Sequence, residues 1–239
     1  MKTIYLSPSQ HGTGANKCLK KGCYEDKHTR PMAEAATKYL RKAGFKVVIA
    51  KPNTSMAYRC QESDRVGADL HIPIHTNAAG ASARYLMFMA IRTDGEYRDI
   101  FEAVAYHMEK IYPGSLEAKF VKRTDLYEIN VPKAKTFYCE MGFHTNKTDV
   151  NSFIHNPDPI GKALAQGICD YYGVSTEFAE FKVKVITPAL NIRTGPGTNY
   201  DKAGVIEDNG IYTIVETDGS WGKLKSGAGW ISLNYCRRL

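Results

Sequence analysis

Three short apolar runs, each ending on a group that can hold a metal or move a proton, constrain this chain most. They are TIYLSPSQHG (residues 3–12), GADLHIPIHTNA (67–78) and KTFYCEMGFHTN (135–146), which end at His11, His75 and Glu140. Each reads as a buried strand. In open α/β sheets, ligands and catalytic groups sit outside the carboxyl ends of the strands. Strand ends carrying His, His and Glu could therefore converge on one metal site.

Up to about residue 174 the chain alternates strand and helix patterns. This predicts an α/β open twisted sheet with helices on both faces. Strands are expected at Thr3–Ser7, Phe45–Ala50, Asp69–His75, Tyr85–Ala90 and Thr136–Glu140. Helices are expected over about Glu25–Ala43, Met56–Val66, Glu96–Tyr112 and Pro159–Tyr172. Met32, Ala36, Tyr39, Leu40 and Ala43 recur at helical spacing, as do Ile100, Phe101, Val104, Met108 and Ile111. After Gly173 the texture changes. Residues 175–182 read as a linker between domains at 1–174 and 183–239. From Val183 short strands alternate with Gly, Asn and Asp, which predicts a small all-β barrel.

Lys and Arg outnumber Asp and Glu by 32 to 25, a net charge of +7, so an anionic partner is expected. From residue 174 onward there are eight Lys/Arg and seven Asp/Glu. The excess therefore lies in the first domain. The lysines are scattered and no aromatic–basic recognition motif appears, so nucleic acid is not the expected partner. No apolar run reaches 18 residues, so no membrane partner or span is expected. The N-terminus lacks the apolar core of a signal peptide, and synthesis in a cytoplasm is the expectation. The cysteines at 18, 23, 60, 139, 169 and 236 form no CxxC pair and read as reduced thiols. Cys18 and Cys23 are close enough in sequence for a disulfide or a metal clip.

His71 and His75 have the HxxxH spacing of a helical metal pair, but Pro73 between them would break a helix. In a strand their α-carbons lie about 13 Å apart, too far to share an ion. His75, at the carboxyl end, is the better ligand, and His71 reads as a packed or surface residue. Pro73 removes a ladder donor and implies a bulge or a local edge. A catalytic zinc site takes three protein ligands and an open position. Glu25, Asp26 and His28, near the start of the first helix, all qualify as the third. Alternatively, an acid there simply suits the helix dipole. Cys139, adjacent to Glu140 in a strand, faces the opposite side and reads as core.

The layout resembles the zinc-dependent N-acetylmuramoyl-L-alanine amidases of the amidase-3 type. The carriers are His11-Gly12, Glu25, DLHIPIHTNA and FYCEMGFHTN, with Arg59, Asp64 and Asp69 in the run-up to His75. The resemblance spans residue 3 to about 172. It implies that His11, Glu25 and His75 hold Zn²⁺ and that Glu140 is the catalytic acid/base. It also implies a peptidoglycan substrate, cut between N-acetylmuramic acid and L-alanine. This chain departs from the family at Pro8-Ser9-Gln10 and Thr13, where Asp-Pro-Gly and a second glycine are usual. Asp26 and His28 compete with Glu25 for the ligand role, and His144 replaces an apolar residue, either lining the site or exposed. ALNIRTGPGTNY (189–200), Trp221 and GWISLNY (229–235) resemble the bacterial SH3 (SH3b) family, which implies binding to a cell-wall polymer. Tyr200, Tyr212, Trp221, Trp230 and Tyr235 are candidates for that groove or for core packing. An endolysin or autolysin acting on the wall after release is the expected setting. The rival readings are a zinc peptidase of related fold and a non-catalytic wall-binding protein.

Overall fold

The computed structural model describes residues 1–10, 16–114, 117–174 and 180–239. These form two compact units, Met1–Ser175 and Thr176–Leu239. In the first unit the elements run β1 (Thr3–Pro8), α1 (Asp26–Lys42), β2 (Lys46–Ile49), α2 (Met56–Arg65), β3 (Leu70–Asn77), β4 (Met87–Ala90), α3 (Glu96–Glu109) and β5 (Lys119–Lys122). They continue with α4 (Tyr127–Asn130), β6 (Lys135–Thr136), β7 (Tyr138–Phe143), α5 (Lys147–Ser152) and α6 (Pro157–Tyr171).

The sheet order is β2-β1-β3-β7-β4-β5, with β6 also beside β3. β1, β2, β3, β6 and β7 pair in parallel, whereas β4 pairs antiparallel to β7 and carries β5 parallel to itself. β1 is buried along its whole length and β3 along all but its last residue. Strands covered on both faces lose the polar alternation of a half-exposed sheet, which is why these runs are nearly continuously apolar. One helical layer joins α1, α6 and α3. A Cβ on Gly161 would sit 2.4 Å from the Ala36 nitrogen, and one on Gly167 would sit 2.4 Å from the Val104 Cα. Only glycine allows so close an approach. The other layer holds α2 and α4, onto which Tyr5 and Ser7 project. Tyr5 donates to Glu62 Oε2 at 2.8 Å and Ser7 to Glu128 Oε1 at 2.5 Å.

Pro73 is tolerated because its neighbouring strand breaks there. β6 pairs with Leu70 and His71, β7 resumes pairing at Ile74, and Phe137 between them donates its N–H to the His71 carbonyl at 2.9 Å. The donor that proline lacks would have faced this seam. The single strand expected at Thr136–Glu140 is accordingly two strands, interrupted at Phe137. β5, α4 and α5 were not anticipated. Each is four to six residues long, too short to show a period.

The second unit is one antiparallel sheet: β8 (Phe181–Val185), β9 (Leu190–Arg193), β10 (Lys202–Ile206), β11 (Ile211–Asp218), β12 (Trp221–Leu224), β13 (Trp230–Ser232) and β14 (Cys236–Arg238). Its order is β10-β9-β13-β12-β11-β8-β14 around a core that includes Val183, Val185, Leu190, Ile214, Leu224 and Ile231. Phe181 and Lys182, expected in the linker, already pair within β8.

Candidate active site

His75 lies near the carboxyl end of β3, and its Nδ1 stands 3.0 Å from Glu25 Oε1. Glu25 is the residue just before α1, yet its side chain does not cap that helix. The carboxylate crosses instead to the sheet, where Oε1 accepts the Thr76 N–H at 2.9 Å and Oε2 accepts the Asn16 amide at 2.6 Å. Both residues are buried, with Glu25 2% and His75 6% exposed. The carboxylate is thus aimed at His75 by hydrogen bonds from two segments, which is how outer partners orient metal ligands.

This pair fits a zinc ion. Imidazole nitrogen and carboxylate oxygen belong to the donor set of catalytic zinc, and two ligands at about 2.1 Å in a tetrahedron stand about 3.4 Å apart. The 3.0 Å separation is within easy adjustment of that edge. His11 lies outside the described residues.

Glu140 is the register partner of His75 on β7. Its Oε2 is buried and has no hydrogen-bond partner among the described residues. Burial and then the nearby Glu25 charge push this carboxyl up to about 8, against a weaker opposing pull from Arg123. A carboxyl so placed takes up and releases protons near neutral pH, as a general acid/base must. Tyr138, two residues earlier, stacks on the His75 ring with centroids 4.7 Å apart.

The other candidates separate clearly. His71 is fully buried, stacks on Tyr5 and meets Glu128 at 3.4 Å, so it belongs to the layer under α2 and α4. Cys139 is fully buried, its thiol directed to the Phe137 carbonyl, and burial raises it well above the ordinary thiol range. Asp26 lines a separate groove with Gln10, Arg30 and Asn53. His28 turns away from His75: its Nε2 meets Thr76 Oγ1 at 2.7 Å and its Nδ1 meets Cys23 Sγ at 3.5 Å. Burial, then the neighbouring His155, lowers it to about 4, so it is neutral at physiological pH. His144 is buried, not exposed, and meets the same Thr76 hydroxyl at 3.0 Å. Sequence reasoning missed Asn16, Thr76, Tyr138 and His155. Thr76 and Tyr138 lie inside the quoted strand runs without a signature of their own, and His155 meets Cys23 from 132 positions away.

In the second unit, Trp221 and Tyr235 line a polar groove of about 540 Å³ with Asn191, Arg193 and Ser232. Trp230 is 8% exposed and Tyr212 packs on the core, so these two serve structure. Tyr200 packs over Gly195 and Gly197.

A histidine braced by one buried carboxylate thus stands on β3 beside a second carboxyl on β7, whose Oε2 is buried. Residues 4–170 match the N-acetylmuramoyl-L-alanine amidase family, and residues 188–236 match the bacterial SH3 domain family. The chain belongs to the N-acetylmuramoyl-L-alanine amidase family, as a peptidoglycan amidase with a C-terminal bacterial SH3 domain. Cwp6 from Clostridium difficile is similar in fold, with a TM-score of 0.64 at 23% identity, over 71% of this chain and 29% of that one. The chain thus spans under a third of Cwp6. The amidase AmiC2 of Nostoc punctiforme gives a TM-score of 0.64 at 17% identity, over 72% of this chain and 97% of that one. An uncharacterised Bacillus subtilis protein, YqiI, is 24% identical over 183 residues, covering 72% of this chain and 85% of its own length.

Proposed function

We propose that the first unit cleaves the amide between the lactyl group of N-acetylmuramic acid and L-alanine, with zinc held by His11, Glu25 and His75. The observation that carries this reading is the convergence of Glu25 on His75 at 3.0 Å, with the raised carboxyl of Glu140 on the next strand. Bound zinc supplies Lewis acidity, which polarises a carbonyl and makes water acidic near neutral pH. Glu140 takes the proton of the attacking water and returns it to the departing nitrogen. Thr76 and Asn16 hold Glu25 in place, and the stacked Tyr138 ring fixes the His75 plane. No side-chain nucleophile is needed, in keeping with Cys139 facing away from the site. The SH3 unit grips a wall polymer through the groove at Trp221 and Tyr235, and the protein acts on the bacterial wall after release from the cytoplasm.

The test is a pair of variants read for zinc retention and wall hydrolysis. His75→Ala is expected to weaken zinc retention and abolish hydrolysis. Glu140→Gln is expected to retain zinc and still lose hydrolysis. Full hydrolysis by either variant contradicts the assignment.

A further inference from the structure

A second cluster of metal-binding side chains lies outside the hydrolytic site. Cys18 and Cys23 flank a tight hairpin, closed by the Cys18 N–H to the Cys23 carbonyl at 3.1 Å and by an antiparallel bridge between Lys17 and Tyr24. Gly22, with φ +75°, makes the reversal. The hairpin directs both sulfurs at His155, which follows α5. His155 Nε2 stands 3.7 Å from Cys18 Sγ and 3.6 Å from Cys23 Sγ. The ligand atoms of these residues all lie within 4.8 Å of one another.

These separations fit a cation better than hydrogen bonds alone. A neutral imidazole offers one acceptor nitrogen, which pairs well with only one thiol. In a tetrahedral zinc site, Zn–S near 2.3 Å and Zn–N near 2.05 Å place sulfur and nitrogen about 3.6 Å apart. His28 Nδ1 is 3.5 Å from Cys23 Sγ, the same edge length. Its other nitrogen is held by Thr76 Oγ1 at 2.7 Å, the outer hydrogen bond that ligating histidines ordinarily make.

We propose that Cys18, Cys23 and His155 form a structural site for a soft divalent cation such as zinc, with His28 beside it on the Cys23 side. Thiolate and imidazole donors in this mixture belong to structural zinc sites, and His28 stands beside Cys23 as the nearest candidate for the remaining position. The clip ties the hairpin, two residues upstream of Glu25, to the segment between α5 and α6. The Leu19 N–H also reaches the His144 carbonyl at 3.1 Å, and Thr76 joins His28 on one side to Glu25 on the other. Loading this site therefore holds in place the segment that delivers Glu25.

Cobalt(II) reads this site without any assay of hydrolysis, because only thiolate ligands give an intense sulfur-to-cobalt charge-transfer band. The full-length chain, reduced and loaded with cobalt, is expected to show that band. It should vanish in the Cys18→Ser/Cys23→Ser variant, fade in His155→Ala and persist in His75→Ala. Since the hydrolytic site has no sulfur ligand, failure of the zinc-amidase reading would leave the band untouched. Absence of the band in the wild-type chain, with both thiols shown by alkylation to be free, overturns the proposal. So does recovery of Cys18 and Cys23 as a disulfide in freshly isolated protein.

Discussion

Replacing Glu140 by glutamine should abolish hydrolysis while stabilising the metal-free fold. In the unfolded chain a glutamate ionises near 4.3. In the metal-free folded chain, burial and then Glu25 hold the Glu140 proton up to about 8. The unfolded state thus releases its proton first. Folding stability is undiminished below about pH 4, falls as the pH rises from there to about 8, and is constant above. At about 1.4 kcal/mol per pH unit the loss at pH 7 is between 3 and 4 kcal/mol, and partial solvent access reduces it to about 2. Glutamine has the same shape and no charge to bury, so it removes this loss. For a unit of this size 2 kcal/mol corresponds to roughly 4–8 °C in Tm. Thermal melts in chelator at pH 7 should show the variant melting higher by that margin, with the difference vanishing near pH 4. Stem-peptide release by the metal-loaded variant should fall roughly 10²–10⁴-fold, the ordinary worth of a general acid/base. A variant that melts no higher at pH 7, or that still hydrolyses wall, would refute this role for the buried carboxyl.

Other outcomes follow from the packing. Asp149 is fully buried and receives Arg84 Nε at 3.0 Å, the Tyr112 hydroxyl at 2.7 Å and the Phe143 N–H at 2.9 Å. Asp149→Ala should cost about 4 kcal/mol by stranding Arg84, seen as a Tm lower by roughly 8–16 °C. Gly167→Ala drives a methyl into the backbone of α3 at Val104 and should cost about 1–3 kcal/mol in denaturant unfolding, despite alanine's better helix propensity. Deleting residues 176–239 should weaken sedimentation with cell walls and leave zinc content unchanged; undiminished binding would remove the wall-gripping role from the SH3 unit.

Much of this arrangement was legible in the residues. The apolar runs into His75 and Glu140 placed both on the sheet edge because strands covered on two faces cannot hide their pattern. Proline at 73 separated the histidines correctly: His71 lies under the helices and His75 at the edge. Glu25 could not be told from Asp26 or His28, since a helix start leaves its direction open. The Glu25 carboxylate is turned toward His75 by Asn16, nine positions away, and by the Thr76 N–H, 51 positions away, and a spacing does not reveal such hydrogen bonds. The Cys18–Cys23 spacing admitted a disulfide or a metal clip and could not decide between them. Cys18 and Cys23 are only a spacing until the fold brings His155 to them. The reversed strands β4 and β5 have no signature either, because direction depends on connections rather than on side-chain pattern.

The most direct measurement is mass spectrometry of purified peptidoglycan digested by the full-length protein, with chelator, without it, and after zinc is restored. The expected products are free stem peptides beginning with L-alanine, lost on chelation and recovered with zinc. Metal-independent release, or new termini elsewhere in the peptide, would contradict the assignment of His75, Glu25 and Glu140 to this amide bond.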